Sequence, residues 1–292
     1  EQRERATLHS YRGHVKNHIE PKMGHLLLTQ LSVVDVRDFL DAMLRDSTRP
    51  MAKKCLTTLR SIISAAQERG IVQHNVARDV KLRRSERHDP DRVFPTKDEI
   101  KALIVNASER HQPLIMTALL TGMRMSELRG LTWDTIDFAR SIITVTKRAD
   151  RYCDMGNIKS KSGRREIPMG PGLAKVLEAW KVACPKGDLD LVFPNGVGNV
   201  ETHSNIYNRI FKPLMLKCGI VDGEGAPRFS LHAMRHAAAS LFIEQGWPPK
   251  RIQAMLRHSS ITMTYDVYGH LFHDPAKDVD LMGEMERGLL VG

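Results

Sequence analysis

Cysteine is scarce in this sequence, and the few cysteines that it has are not arranged in pairs. Cys55, Cys153, Cys184 and Cys218 lie far apart, and no two of them form a C-x-x-C motif. This spacing argues against a disulfide framework and against a structural zinc site. Isolated reduced thiols are typical of cytoplasmic proteins, so we expect a cytoplasmic location.

Long hydrophobic runs, internal repeats and low-complexity tracts are also missing. No stretch approaches the roughly 18 apolar residues of a membrane span, and the first residues contain no apolar segment of a secretory signal. We therefore expect no association with a membrane. The 292 residues, 41% of them hydrophobic, are enough for two domains with separate cores.

The charge balance is basic, with a formal net charge of +10 at pH 7. A charge of this size and sign favours a polyanionic partner, most often a nucleic acid. The alternative is a basic surface that is only solvated, and charge alone does not separate the two.

Residues 1–85 are predicted to form a small helical bundle. A helix over residues 7–20 is expected to stop at Pro21, because proline interrupts helices. Ser32 and Asp35 form the capping pattern that begins a second helix.

A third helix of this bundle carries both an apolar stripe and basic residues. The stripe has helical spacing and comprises Leu56, Leu59, Ile63 and Ala66. Gly70 suits the end of this helix. Three basic side chains can point away from the stripe and contact DNA phosphates: Lys53, Lys54 and Arg60. The alternative for each is a solvated side chain.

Residues 86–95 are charged, contain proline and have little apolar content, so they are predicted to be a linker. A second domain over residues 96–278 opens with a T-x-x-E capping box at Thr96 and Glu99. Its fold class is predicted to be mainly α with a small antiparallel sheet. The alternating segment SIITVT supplies a strand, and NIKSKSGRREIPM is expected to form two strands around a Ser162-Gly163 turn.

The segment ALLTGMRMSELRGLTW is the first that indicates chemistry. An apolar helix is expected to end at Gly122, and Ser126-Glu127 resembles the start of another helix. Arg124 lies between the two, among free backbone N–H groups that suit a phosphate. The alternative is an ordinary surface arginine beside Arg129.

Lys161 is expected at the tip of the predicted hairpin. A lysine on a tight turn can be presented to a substrate as a movable proton donor. Lys159 lies two residues back and competes for this role, and the position next to the turn favours Lys161. The alternative is that both lysines are only solvated.

The helix SLHAMRHAAASLF contains two histidines and an arginine. His232 and Arg235 are separated by one helical turn and share a face. The arginine offers a planar fork to two phosphate oxygens, and the histidine can donate a hydrogen bond or move a proton. His236 is expected to point elsewhere. Zinc could bind His232 and His236, but there is no H-E-x-x-H motif, and no metal site is predicted.

The last segment that contains side chains suited to catalysis is MLRHSSITMTYDVYGHLF. It contains His258 and two tyrosines, Tyr265 and Tyr268. A tyrosine oxygen can act as a covalent nucleophile if neighbouring groups help to remove its proton. The distance in sequence from His258 and the following Gly-His favour Tyr268 over Tyr265.

Taken together, these segments resemble the tyrosine recombinase (phage integrase) family, and most closely the integrases of phages and integrative mobile elements. The resemblance covers both domains. It implies that the first domain is a core-binding bundle and that the two domains clamp DNA. It also implies a set of catalytic residues: Arg124, Lys161, His232, Arg235, His258 and Tyr268.

By this resemblance, Tyr268 attacks the scissile phosphate and forms a 3′-phosphotyrosyl bond, while Lys161 protonates the departing 5′-oxygen. Arg124 and Arg235 bind the non-bridging oxygens. No metal, ATP or other cofactor is required.

The remaining catalytic assignments concern histidines. By the same resemblance, His232 and His258 add hydrogen bonds to the phosphate, and His232 is expected to take the proton of the nucleophile. His236 is expected to be a packing residue or to support its neighbours.

One position departs from the family pattern. The family usually has glycine before the histidine of the last box, whereas this sequence has Arg257. Glycine would permit a left-handed backbone. Arginine there is expected either to strain the turn or to add a DNA contact. Arg257 and Lys159 therefore join the residues expected to bind DNA.

The expected partners follow from the resemblance. They are double-stranded DNA attachment sites, three further copies of the chain in a tetramer on DNA, and a DNA-bending or directionality factor. The expected location is the nucleoid of a bacterial host. The tail over residues 279–292 has apolar residues at helical spacing and is expected to dock on the neighbouring protomer. The alternative is packing on its own domain.

Two other functions compete with integration and excision. One is a type IB topoisomerase or resolvase that uses the same chemistry with a different outcome. The other is a DNA-binding protein that keeps the recombinase fold but has weak or no catalysis, an alternative prompted by Arg257.

Overall fold

The computed structural model describes residues 4–83, 94–158, 164–272 and 275–290. The chain divides into two compact units, Glu1–Asp91 and Arg92–Gly292. Most of the predicted linker lies outside the described residues. Within the described ranges, none of the helices combines the length and the apolar character needed to cross a bilayer.

The described residues of the first unit form helices joined by short loops. The helices are α1 (Arg5–His14), α2 (Glu20–Met23), α3 (Val33–Asp46) and α4 (Arg49–Glu68). A π-helical turn over Val15–Ile19 joins α1 to α2. Helical structure therefore continues past Pro21, and the prediction that it stops there was wrong. The wider π turn lies directly before the proline, where it accommodates the missing N–H and the bulk of the ring.

The helix signals of α3 and α4 are confirmed. The Ser32 hydroxyl accepts from the Asp35 N–H at 3.3 Å, and the Asp35 carboxylate accepts from the Ser32 N–H at 2.8 Å. The predicted stripe of α4 is buried, and Gly70 follows the helix with a positive φ of 72°. These apolar side chains pack against α3 to form the core of the first unit.

Arg60 of α4 makes contacts within the first unit. Its guanidinium donates to the carbonyls of Ala77 and Val80. The Asn75 amide donates to the Arg60 carbonyl at 2.9 Å. Arg60 thus holds the end of the first unit against α4, a role that the sequence did not indicate. The predicted contact of Arg60 with DNA stays a prediction.

The second unit is mainly helical with two small antiparallel sheets, which confirms the predicted fold class. Its helices are α5 (Lys97–Asn106), α6 (Gln112–Thr121), α7 (Met125–Arg129), α8 (Pro171–Ala183), α9 (His203–Asn205), α10 (Lys212–Lys217), α11 (Ala233–Glu244), α12 (Pro249–Leu256), α13 (Ile261–Tyr268) and α14 (Pro275–Leu290). Its strands are β1 (Ile136–Asp137), β2 (Ile142–Val145), β3 (Lys147–Ala149), β4 (Met155–Asn157) and β5 (Arg165–Pro168). A capping box at Thr96 and Glu99 begins α5, as predicted.

The pairing of the strands corrects one prediction. The strands on either side of residues 159–163 do not form a hairpin with each other, since β4 pairs with β3 and β5 pairs with β2. Burial explains the choice: Ile143 of β2 lies opposite Ile167 of β5, and both side chains are fully buried in the core. The predicted Ser162-Gly163 turn lies outside the described residues.

The core of the second unit is built around α6 and α11. Small residues on α11 allow close packing: Ala237, Ala238 and Ala239 are all fully buried. Helix α6 ends, as predicted, at Gly122, which has a left-handed backbone with φ 63°. A Cβ atom at Gly122 would lie 2.5 Å from the side chain of Leu256.

Replacing Gly122 with alanine is expected to destabilise the protein by about 2–5 kcal/mol. The left-handed backbone costs alanine about 1–2 kcal/mol, and overpacking against Leu256 adds about 1–3 kcal/mol. Gly219→Ala is the matched control, because Gly219 has φ 68° but open space around its Cβ position. Denaturant unfolding of both variants measures the difference. Equal losses in the two would show that the contact with Leu256 is not tight.

Candidate active site

Arg124 lies at the start of α7, directly after the end of α6. It is itself the N-cap of α7, whereas the sequence suggested Ser126-Glu127 for the start of this helix. Its backbone N–H donates to the Glu127 carboxylate at 2.9 Å, and its guanidinium donates to the same carboxylate at 3.2 Å. The placement of Arg124 therefore depends on one acidic side chain three residues away.

Glu127 is buried and bound by a second arginine. Arg165 of β5 donates to both of its oxygens, at 3.2 and 2.7 Å, in a bidentate pair. Burial by itself would raise the pKa of Glu127. The hydrogen bonds and charge of Arg165, followed by those of Arg124, outweigh burial and lower that pKa to about 2. The carboxylate is thus charged at neutral pH and orders two arginines on one surface.

Glu127→Gln is expected to destabilise the protein by about 3 kcal/mol at pH 7, because it leaves buried guanidinium charge without its counter-charge. The pKa of Glu127 is lowered in the folded state, so its contribution is complete above its ordinary pKa. The contribution is lost as pH falls towards 2. Glu244→Gln is the control, because the Glu244 pair with Lys97 is exposed and its loss costs about 0–1 kcal/mol. Equal losses of unfolding free energy would contradict the assignment.

Arg235 is buried in the middle of the site, with 4% of its surface exposed. Its guanidinium donates to the Gly122 carbonyl at 2.6 Å and to the Leu256 carbonyl. These carbonyls belong to the C-terminal ends of α6 and α12, which have free acceptors and partial negative charge. Burial, and then the charge of Arg124, lower the pKa of Arg235 to about 9. The side chain remains a cation at neutral pH.

Carbonyls at the C-terminal end of α12 accept hydrogen bonds from both Arg124 and Arg235. Arg124 donates to the carbonyl of Arg257 at 3.0 Å, next to the Leu256 carbonyl that binds Arg235. Arg257 has a left-handed backbone, with φ 54° and ψ 54°. The conformation that glycine would favour is therefore present with arginine in its place, at a cost of about 1–2 kcal/mol. The Arg257 side chain faces the same cleft as Arg124.

Two histidines lie within the field of these arginines. Burial, and then the charge of Arg235, lower the pKa of His232 and lower that of His258 to about 4. Both imidazoles are therefore neutral at pH 7 in the free protein. The Nδ1 atom of His258 lies 2.9 Å from the hydroxyl of the buried Thr264, which fixes the ring. The other ring nitrogen of His258 can then serve as the contact to a ligand.

The two tyrosines have different environments. Tyr268 is buried, and its ring stacks on that of His258 with the centroids 6.2 Å apart. Tyr265 is 49% exposed, and its ring lies 5.8 Å from that of Phe272. The structure thus brings Tyr268 together with His258 and Arg235, and it places Tyr265 on the surface.

The hydroxyl of Tyr268 contacts a histidine that the sequence did not single out for this role. Its oxygen lies 2.7 Å from Nδ1 of His236. Consecutive residues on a helix diverge by about 100°, so His236 was expected to point away from Arg235. It does diverge, and it points towards the end of α13. The pairing of His236 with Tyr268 depends on tertiary structure and has no signal in the local sequence.

An open cleft of about 820 Å³ lies in front of Arg124 and His258. Its described lining is strongly cationic and includes Arg148, Arg164 and Lys250. No motif in the sequence indicated a role for these three residues. Such a surface suits a run of phosphates. Lys159 and Lys161 lie outside the described residues, so the predicted role of Lys161 as proton donor, with Lys159 as its competitor, stays a prediction.

The histidines of the site raise the question of a metal ion. In the described ranges, no group of three His, Cys, Asp and Glu side chains is positioned to hold a metal ion. His232 and His236 are neighbours, with ring centroids 4.9 Å apart in an edge-to-face arrangement. The Nδ1 atom of His236 is occupied by its contact with the Tyr268 hydroxyl.

The sequence model of the phage integrase family matches residues 94–274. This match covers most of the chain, and the chain belongs to the phage integrase family. It is similar to the transposase from transposon Tn916 of Enterococcus faecalis, with 29% identity over 187 residues. That alignment covers 59% of this chain and 44% of the transposase. The chain therefore spans less than half of this relative's length.

Two further similarities extend over more of the chain. The ICEBs1 integrase of Bacillus subtilis strain 168 is 27% identical over 266 residues, which are 86% of this chain and 69% of that protein. The solved structure of the Tn1549 transposon integrase in complex with transposon right end DNA superposes with a TM-score of 0.79 at 21% identity. It covers 100% of this chain and 95% of the integrase chain, so the fold is shared across both units.

Proposed function

We propose that this chain is a site-specific DNA recombinase that integrates or excises a mobile element through a 3′-phosphotyrosyl intermediate. The observation that carries the proposal is the cluster of Tyr268 with Arg124, Arg235 and His258 beside a cationic cleft. The relatives support it, since their names are those of integrases and of a transposase.

The arginines suit the binding of a scissile phosphate. Two of the five N–H groups of Arg235 bond to carbonyls, which orient the guanidinium. The remaining N–H groups and those of Arg124 bind the non-bridging oxygens. Charge on these oxygens grows in the five-coordinate transition state, so preorganised donors lower its free energy. His232 and His258, neutral before binding, add hydrogen bonds.

The reaction is a pair of transesterifications. The Tyr268 oxygen gives its proton to a histidine of the site and forms a bond to phosphorus as the bond from phosphorus to the 5′-oxygen breaks. The departing oxygen keeps the electron pair and takes a proton from Lys161. In the reverse sense, a free 5′-hydroxyl of a partner duplex gives its proton to Lys161 and attacks the phosphotyrosine. The Tyr268 oxygen leaves with the electron pair of its bond to phosphorus and takes its proton back from the histidine. The phosphodiester energy is kept in the protein–DNA ester, so the exchange requires neither ATP nor a metal.

A trapped intermediate tests this function. Duplexes selected by binding from a random pool are nicked close to each candidate cleavage point, so that the cut fragment diffuses away. Incubation with EDTA should give a protein–DNA species that survives a denaturing gel. Joining of strands from two labelled duplexes then separates a recombinase from a topoisomerase. Specific binding without any covalent species would instead identify a DNA-binding protein with a recombinase fold.

The domain boundaries follow the same proposal. Residues 1–85 form the core-binding domain, residues 86–95 the linker and residues 96–278 the catalytic domain, and the two domains clamp duplex DNA. In the first, Lys53 and Lys54 are exposed on α4. In the second, the cationic cleft supplies further phosphate contacts, including Arg257.

Binding to DNA is expected to weaken steeply with salt, because each neutralised phosphate releases counterions. Lys53→Gln and Lys54→Gln should each reduce the slope of log affinity against log salt by about one. Lys101→Gln on α5 is the control, since Lys101 pairs with Asp98 on an exposed surface away from the cleft lining. Fluorescence anisotropy over a salt series measures the slopes. A wild-type slope near zero would count against the DNA clamp.

The proposed assembly is a tetramer on DNA, held together by the tail over residues 279–292. Support comes from α14, whose apolar side chains are exposed: Val279, Met282, Met285 and Leu289. A chain shortened after residue 278 should bind one site normally but fail to assemble and recombine. Unchanged assembly of the shortened chain would rule out docking in trans. A bacterial nucleoid location and a DNA-bending or directionality factor complete the proposal.

A further inference from the structure

His236 is the side chain whose role in the site is least expected. Its Nδ1 atom lies 2.7 Å from the Tyr268 hydroxyl oxygen, a length typical of a strong hydrogen bond. One aromatic side chain, Phe94, packs near both rings. The Phe94 ring lies 5.3 Å from the His236 ring and 5.7 Å from the Tyr268 ring.

The contact lets the Tyr268 hydroxyl donate to His236. A tyrosine in its protonated form has one O–H to donate, and a neutral imidazole accepts at the ring nitrogen that carries no proton. Nδ1 of His236 accepts from Tyr268 in the tautomer whose ring proton is on Nε2, and the proposed step uses this tautomer. An imidazole in this tautomer has a lone pair aimed at the proton that the nucleophile has to lose.

We propose that His236 accepts the phenolic proton of Tyr268 during the attack on phosphorus. This inference rests on the recombinase function proposed above, and it replaces His232 as the expected proton acceptor. In the step, the Tyr268 O–H bond breaks and its proton moves to Nδ1. The oxygen uses the released electron pair to bond to phosphorus, and the bond to the 5′-oxygen breaks. A positioned base of this kind accelerates proton transfer by about 10²–10⁴-fold.

A bound phosphate favours the proton transfer. The His232 ring lies 4.9 Å from the His236 ring. Burial, and then the charges of Arg235 and Arg124, lower the pKa of the neighbouring His258, so the arginine charge of this site opposes a further cation. A phosphodiester brings the negative charge that balances an imidazolium at His236. DNA binding therefore favours the protonated form of His236 that the step produces.

The test measures single-turnover formation of the covalent complex by the full chain on nicked duplexes. The duplexes carry sulfur in place of the 5′-bridging oxygen, because a thiolate leaves without a proton and makes the step independent of Lys161. His236→Phe keeps the ring and its packing on Phe94 but removes the nitrogen. His236→Asn can place an amide oxygen near the Nδ1 position but cannot take a proton. Glu244→Gln, on the same helix, is the matched control.

Both His236 variants are expected to bind DNA with wild-type affinity and to cleave about 10²–10³-fold more slowly. The slow cleavage by the His236 variants should persist on the sulfur substrate. Lys161→Ala, in contrast, should cleave this substrate at close to the wild-type rate. His236→Ala should regain activity when free imidazole is added, which a purely structural role would not produce. The control should cleave within twofold of the wild type.

Two results would overturn the assignment. Cleavage by His236→Phe at the wild-type rate would show that the nitrogen is unnecessary. Wild-type cleavage by His236→Asn would show that the histidine only positions Tyr268. Both results presuppose an active wild type. A wild type that forms no covalent complex on any selected duplex would overturn the proposed function itself, and the assignment with it.

Discussion

Replacing Tyr268 with phenylalanine is expected to abolish the covalent protein–DNA complex while DNA affinity stays unchanged. The substitution removes one oxygen atom, the proposed nucleophile, and leaves the ring stacked on His258. Loss of a nucleophile from a hydrolytic site reduces the rate by roughly 10⁶-fold. Such a loss places the variant below detection on a denaturing gel.

Tyr265→Phe is the matched control, because it makes the same chemical change three residues away. The Tyr265 ring is exposed and packs on Phe272, so its hydroxyl is not needed at the phosphate. Covalent complex formation by this variant should equal that of the wild type. A complex that persists in Tyr268→Phe and disappears in Tyr265→Phe would reverse the assignment and require α13 to turn during DNA binding.

Arg235→Lys is expected to reduce the rate of covalent complex formation by about 10³-fold, although the positive charge is kept. Lysine lacks the planar fork that can bind two phosphate oxygens while also bonding to helix carbonyls. Removing one preorganised donor from a transition-state site costs about 10²–10³-fold, and the fork supplies more than one. Single-turnover kinetics at saturating protein measures the loss.

Arg235→Lys is expected to lower the free energy of unfolding as well as the rate of covalent complex formation. The Arg235 guanidinium joins Gly122 at the end of α6 to Leu256 at the end of α12, and lysine cannot satisfy both carbonyls in the same geometry. We expect a loss of about 1–3 kcal/mol in the free energy of unfolding. Rates are therefore compared well below the melting temperature of the variant.

The control for Arg235→Lys is Arg251→Lys on α12. The Arg251 guanidinium lies on the surface, 4.1 Å from the centroid of the Trp247 ring. This variant should keep both stability and activity. Equal rates for Arg235→Lys and the wild type would show that charge alone, without the fork, suffices at this position.

Local signals in the sequence predicted much of the fold. Capping boxes at Ser32 and at Thr96, and the left-handed end of α6 at Gly122, follow from interactions within one turn of chain. The mainly helical fold class with small antiparallel sheets followed from the same kind of periodicity. These features depend on neighbours in sequence, so they can be predicted from one amino-acid sequence.

The incorrect predictions have different physical causes. Strand β5 pairs with β2 because their isoleucines share the core, so turn residues next to β5 do not determine its partner. The helical structure continues through Pro21 after a π-helical turn over Val15–Ile19, and such a turn has no reliable signal in the sequence. The contacts of Arg60 with carbonyls 17 and 20 residues later also had no signal in the sequence.

The site shows the same contrast between features that local sequence indicates and contacts that depend on tertiary structure. Arg124, His232, Arg235, His258 and Tyr268 were named from sequence boxes, and the fold brings them together. The supporting contacts were not foreseen. Glu127 binds Arg165 across 38 residues, and His236 meets Tyr268 across 32. Both pairs form only when separate helices and strands pack, which explains why the motif residues were found and their partners were missed.

The most direct test of the central claim is to locate the DNA on the protein. The trapped complex is digested with nuclease and trypsin, and the peptides are sequenced by tandem mass spectrometry. The proposed mechanism predicts a nucleotide remnant joined through a 3′-phosphate to Tyr268, in the presence of EDTA. A remnant on Tyr265, on a histidine or on any other residue would contradict it.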